Sequence, residues 1–302
     1  MADEILELYA EFVNRDTELK RFCGVLDEDK FTVMVIYGEK GIGKTSLLKR
    51  LIYECREVRK MRWARTYFVD ATRVYNYLTV MRAIRDAIGP EFFQPFTDLL
   101  NYFTKPDYEL RIKMEGPEVK ILDGASLTSS SIKEVTGNKV EIHDLNINTP
   151  REDKMIREEE RMHRLTRQFL QDLTSALPNE RIAIMIDDIE QMPAETQSWL
   201  WNELVRGVFD QDLKNIRFVF CIPDEPKLDE FMKRKVLSGA LKVLSEKYVI
   251  EYLVKRQVGN DMIRPALATM IMGNSQGNPS LMVSLVNGFL DQLRVQEEQA
   301  ND

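Results

Sequence analysis

Lys44 and Thr45 close the segment Gly38-Glu39-Lys40-Gly41-Ile42-Gly43-Lys44-Thr45, which satisfies G-x-x-x-x-G-K-[ST] at every fixed position. Glycines so placed let backbone N–H groups turn inward around an oxyanion, and a helix starting directly afterwards adds the positive end of its dipole. The lysine meets the β- and γ-phosphates of a nucleotide, and the hydroxyl beside it ligates Mg²⁺. Expected phosphate contacts therefore run from Gly38 to Ser46. This chemistry needs a second, acid-bearing element to hold the metal's water shell. IAIMIDDIEQM (182–192) supplies it: an apolar run, then Asp187 as the metal-side carboxylate, then Asp188 where a catalytic acid polarises the attacking water. Lys44, Asp187 and Asp188 form the expected catalytic set, with Thr45 and Asp187 on the metal. Asp188 is one methylene shorter than a glutamate, which predicts slow hydrolysis.

The elements around these residues can be read from hydrophobic period. Residues 31–37 are a continuous apolar, β-branched run, as in a strand buried on both faces of a parallel sheet. Helical spacing follows at 45–54. Further strands are expected at 65–70, 181–186 and 216–222, and helices at 4–27 (broken near VNRD), 77–88, 91–103 and 193–209. Between about 104 and 148 the period becomes two, in YELRIKM, EVKIL and KVEIHDLNI, which predicts a small antiparallel sheet inserted into the βα chain. Thr149, Pro150 and Glu152 read as a capping box opening a helix that runs to about 177. Beyond Pro226 all signals are helical, at 226–237, 245–257, 261–273 and 279–296. The expected architecture is α/β: a phosphate-loop core over 1–225, a parallel sheet between helices with the insertion at 104–148, and a helical domain over 226–302.

Composition narrows the function classes. The 302-residue chain is 44% hydrophobic and 30% charged, ordinary values for a globular protein. No apolar run approaches a membrane span. Three cysteines, Cys23, Cys55 and Cys221, lack any paired spacing, which argues against a disulfide framework or a zinc site, and a cytoplasmic location is expected. Two histidines, His143 and His163, leave little for histidine-based catalysis. A net charge of −7 weighs against a dedicated nucleic-acid binder. The densest basic run, KRLIYECREVRKMRWAR (49–65), carries seven cations and Trp63, and is the one local candidate for such a face.

Four further stretches flank the two motifs in a set order: EFVNRDTELKRF (11–22), RFVFCIPDEP (217–226), LSEKYVIEYLVKR (244–256) and GNSQGNPSLMVSLV (273–286). With the phosphate loop and acid strand they resemble the STAND-type NTPases, the signalling branch of the AAA+ ATPases that includes NACHT and NB-ARC modules. The resemblance covers the chain apart from roughly 104–148. It implies bound ATP or ADP with Mg²⁺, an adenine side lined by Phe12, Val13 and Arg15, and a helical lid over 226–302 whose Gly277-Asn278-Pro279 turn sets Pro279 on base or ribose. Asn14 stands where the family usually has glycine, and asparagine tolerates positive φ better than most residues. The family often senses the γ-phosphate with an arginine, or a small polar residue, after the strand at 216–222; here that place reads CIPDEP, with Asp224. Arg206 and Arg234 are the candidates for acting on a neighbouring subunit's nucleotide. The implied function is a slow ATPase that switches conformation or oligomeric state, acting on its own copies or a partner effector, in a setting such as prokaryotic signalling or defence. The alternative is an AAA+ loader acting on DNA. A metabolic kinase is disfavoured, because no small-substrate signature accompanies the lid.

Overall fold

The computed structural model describes residues 12–66, 76–104, 112–115, 118–121, 132–136, 139–142, 158–176 and 180–301. The expected start of the first helix at 4–11, the end of the second strand at 67–70 and the capping box at 149–152 lie outside them.

The chain divides into two compact units, Met1–Gln94 with Thr166–Asp302, and Pro95–Leu165. The first is organised by β1 (Val33–Tyr37), β2 (Arg62–Thr66), β7 (Ile182–Ile186), β8 (Ile216–Ile222) and β9 (Val236–Ala240). These form one parallel sheet in the order β2-β7-β8-β1-β9. Side chains alternate across it. Met34, Ile36, Ala183, Met185, Val219 and Cys221 pack with α1 (Asp16–Asp27) and α2 (Lys44–Tyr53), burying Phe22, Leu26, Leu47, Leu48 and Leu51. The intervening residues Val33, Val35, Ile184, Phe218 and Phe220 are fully buried as well. Burial on both faces explains why the strands are unbroken apolar runs, and each such side chain is worth about 1.5–3 kcal/mol.

The helix expected at 193–209 is present but not regular: an α segment (Ala194–Trp199), a π turn (Leu200–Val205) and a second α segment (Arg206–Asp210) follow one another. Its Trp201 meets Phe220 edge-on, with ring centroids 5.0 Å apart. The strand expected to begin at 65 already starts at Arg62, where it takes register with β7 through Arg62 and Ile182. Pairing with a neighbour, not local pattern, sets its start.

The region after Pro226 is not all helical. A short helix (Glu230–Lys235) runs directly into β9, which pairs with β1 from Val33–Val236 to Tyr37–Ala240. MKRKVLSGA has helix formers before it and only one exposed edge to satisfy, so its period is weak, and the free edge of β1 decides the outcome. The remaining elements are helical: Glu246–Lys255, Arg264–Ser275 and Pro279–Asn301. They share a core of Leu244, Val249, Tyr252, Leu253, Ile271, Met282 and Val286.

In the second unit the expected single antiparallel sheet is two separate ladders among the described residues. β3 (Ile112–Glu115) pairs with β4 (Glu118–Ile121), and β5 (Ile132–Thr136) with β6 (Lys139–Ile142).

Arg217 is a buried cation that the strand pattern concealed. Only 1% exposed, it donates from Nε to the Val25 carbonyl (2.7 Å), from Nη1 to those of Lys214 (2.7 Å) and Ile216 (3.0 Å), and from Nη2 to Glu28 O (3.1 Å) and Asp29 Oδ1 (2.9 Å). Arg181 adds bonds to Leu26 O and Asp29. Together they satisfy the carbonyls left over at the C-terminal end of α1, where cations are favoured. Burial nevertheless pulls the Arg217 guanidinium below its ordinary value, with the nearby Arg181 charge acting the same way.

Candidate phosphate-binding site

Sheet order places the two motifs. β1, which feeds the phosphate loop, and β7, which ends at Asp187, are the two neighbours of β8. Ile36 and Tyr37 pair with Cys221 and Ile222, and Ile186 pairs with Phe220. Asp187 thus emerges level with Cys221 at the carboxyl edge, two strand spacings (roughly 10 Å) from β1. Ligands of open parallel sheets bind at that edge. Cys221 Sγ lies 3.9 Å from the Lys44 carbonyl, and the Gly38 amide donates to Pro223 O at 3.0 Å, so the loop is moored on β8.

Gly38, Gly41 and Gly43 have φ of 150°, 82° and 95°. Gly43 also caps α2, whose first turn holds no acid and receives no side-chain cap. Its leading N–H groups are therefore the orphan donors of a helix start, suited to an anion. Thr45 and Ser46 are exposed at this start, whereas Ile42 is buried. Lys44 Nζ donates to Gly38 O (2.6 Å) and Glu39 O (3.2 Å), and an ammonium has a third proton. Asp187 is 1% exposed and its Oδ1 accepts from the Asp188 amide at 3.2 Å. Asp188 sits half-buried in the left-handed region at φ 52°.

The lead-in residues separate. Phe12 packs on the sheet-side core, whereas Val13 is buried in the helical core with Leu244 and Tyr252. Lys255 Nζ donates to the Phe12 carbonyl (2.6 Å), tying the two together. Asn14 does adopt positive φ, 61°, and Arg15 follows at 80°. Arg15 does not line an open surface: 4% exposed, it donates to Ile42 O (2.9 Å) and Lys242 O (2.8 Å). Burial pulls its guanidinium below the ordinary value, opposed by Glu18.

The turn at 277–280 lies on the phosphate loop. Asn278 Nδ2 donates to Lys40 O (3.2 Å) and the Ser280 amide to Gly41 O (3.1 Å). A Cβ on Gly41 would stand 2.9 Å from Asn278 Oδ1, and one on Gly43 would be 3.9 Å from Pro279 Cγ. Pattern reading singled out Asn278 and Pro279 but missed Ser280 and the segment 241–244, which carry no motif of their own.

Arg206 and Arg234 are both exposed. Arg206 borders a cleft of about 390 Å³ with Trp201, Pro223, Asp224 and Lys227.

This sheet, loop and acid strand define a P-loop ATPase. The chain belongs to the family of ATPase domains found predominantly in Archaea, whose model matches residues 12–235. Nucleotide binding follows from that membership. No curated protein matches the chain. Among solved structures it is similar to a chain of Drosophila ORC bound to DNA (11% identity, TM-score 0.46, 94% of this chain and 62% of that one). It is also similar to a chain of the E. coli MS115-1 HORMA:CdnC:Trip13 complex (13%, 0.47, 89% and 77%). A third is a STAND protein with a tetratricopeptide repeat sensor from Pyrococcus horikoshii (16%, 0.42, 89% and 28%). The chain thus spans less than two thirds of the ORC chain's length. Among the described residues no helix is long and apolar enough to cross a membrane.

Proposed function

We propose that this protein is an ATP-dependent conformational switch. ATP with Mg²⁺ binds at residues 38–46, turnover is slow, and the helices beyond Ala240 act as a lid whose position depends on the nucleotide. The observation that carries this reading is the seating of the 277–280 turn on the phosphate loop, through Ser280 N–H to Gly41 O and Asn278 to Lys40 O. A lid in direct contact with the loop has a differential interaction with its filled and empty forms, which is what a ligand-driven shift requires.

The residues fit the metal and the nucleotide. Thr45 and Asp187 offer hard oxygen donors, and no cluster of three or more His, Cys, Asp or Glu that could cage a metal occurs among the described residues. Mg²⁺ characteristically takes one or two protein oxygens and completes its shell with water and phosphate. When bound, it would neutralise charge on the phosphates. Lys44 would hold the β- and γ-oxygens, and Asp188 would orient the attacking water. Slow turnover is supported by the two residues after Ile222: a proline whose carbonyl is spent on Gly38, then the anionic Asp224, neither of them a cation. A homo-oligomer or a separate effector would receive the signal, and Arg206 or Arg234 would reach a neighbour's nucleotide.

The basic run at 49–65 speaks against the DNA reading. Arg50, Arg56, Arg59, Lys60 and Arg62 are each ion-paired, to Glu54, Glu57, Asp27, Glu57 and Glu180. Cations already neutralised release few counterions on meeting phosphate. The test is the size of the purified protein without nucleotide, with ADP and with ATP, each with and without a DNA duplex. Assembly or compaction that follows ATP alone supports the switch; a change seen only on DNA overturns it in favour of a loader.

A further inference from the structure

Three successive carbonyls of the phosphate loop accept hydrogen bonds from outside it. Lys40 O receives Asn278 Nδ2 (3.2 Å), Gly41 O receives the Ser280 amide (3.1 Å), and Ile42 O receives Arg15 Nη2 (2.9 Å). A trans peptide unit points its N–H opposite to its C=O. Pinning these carbonyls outward therefore turns the amides of Gly41 and Gly43 toward the concave side of the loop, while the Ile42 amide closes a turn on Glu39 O (3.3 Å). Donation to a carbonyl also polarises the N–H of the same unit, strengthening it as a donor. Glycines at positive φ do not hold such an orientation by themselves.

The three donors are not independent. Asn278 and Ser280 belong to one turn, whose Gly277 carbonyl accepts the Leu244 amide at 2.8 Å. Arg15 reaches the same strap two residues earlier, at Lys242 O (2.8 Å). A residue whose backbone is held at φ 80° and whose side chain, 4% exposed, spans two backbone carbonyls is over-determined by its surroundings.

We infer that Arg15 is a positioning residue, not an adenine contact: with Asn278 and Ser280 it forms a bracket on the outer side of the phosphate loop, so that the anion cradle is fully formed only while the lid turn is docked. The inference rests on reading 38–45 as the phosphate site. It makes lid docking and phosphate binding reciprocal, each favouring the other by the same factor.

Two variants test it by amide hydrogen exchange and by ADP titration. Arg15→Gln removes the fork between Ile42 and Lys242. Asn278→Ser keeps an N-cap for the last helix but removes the donor to Lys40 O, and it covers the case in which Arg15→Gln does not fold. In the nucleotide-free protein each variant should speed exchange of the Ser280 and Gly43 amides, with the strands of the sheet unchanged. ADP should bind about tenfold more weakly and no longer slow exchange across 277–282. Unchanged exchange at Ser280, or unchanged ADP affinity despite faster exchange, overturns the bracket. Wild-type protein that binds no ADP overturns the nucleotide reading instead, and the nucleotide-free exchange data then decide separately whether the outward bonds hold the loop.

Discussion

Gly277 and Leu244 meet with no room for a side chain: a Cβ on Gly277 would stand 2.3 Å from the Leu244 carbonyl oxygen, while the Leu244 amide donates to Gly277 O at 2.8 Å. With φ at 75°, the position admits glycine on two separate grounds. This junction holds the 277–280 turn against the strap that leads from β9 into the helices.

Gly277→Ala should therefore lower stability by more than about 1 kcal/mol in urea denaturation and weaken nucleotide binding with it. Gly273→Ala is the internal control. A Cβ there meets nothing within 4 Å and the residue lies inside a helix. It should be neutral or stabilise by about 0.5–1 kcal/mol. Equal effects of the two would mean that the turn is not seated as described.

Lys44→Ala should abolish ATP and ADP binding in calorimetry, because it removes the cation proposed to meet the phosphates. Asp188→Ala should leave the affinity intact and lower hydrolysis by about 10² or more. Nucleotide affinity unchanged in Lys44→Ala refutes the site assignment.

Arg217→Met should cost about 3 kcal/mol or more, since it strands the Val25, Lys214 and Glu28 carbonyls. Its effect should appear in the midpoint of unfolding with ATP affinity per folded molecule unchanged, because it lies at the opposite edge of the sheet from the phosphate loop. A loss of affinity without a loss of stability would contradict this placement.

Cys55 is fully buried, and burial pushes its thiol up to about 12. The folded value lies above the unfolded one, so its contribution to stability is complete below about pH 9 and lost as pH rises toward 12. Wild type should lose stability over that interval faster than Cys55→Ala. In native protein at pH 8, a thiol reagent should spare Cys55 until the chain unfolds.

The phosphate loop and the acid strand were legible because each is contiguous: glycine spacing and a single apolar run contain the whole signal. So were the helix at 77–88 and the strand at 216–222, whose patterns stand alone. Asn14 also behaved as its residue type suggested, at φ 61°. β9 was not legible. VLSGA has no strong period, and only the vacant edge of β1 makes it a strand. Nor was the role of Arg217, because its partners lie near 25–29, almost two hundred residues away.

By itself, then, the sequence determined which residues can hold a phosphate and which strand brings the acid to it, since those properties depend on neighbours a few positions apart. Tertiary structure alone decided what stands behind the loop. The carbonyls of Lys40, Gly41 and Ile42 are chemically ordinary, and their partners come from residues 15, 278 and 280. A backbone acceptor leaves no trace in residue identity, so the contact between lid turn and loop exists only once the chain has folded.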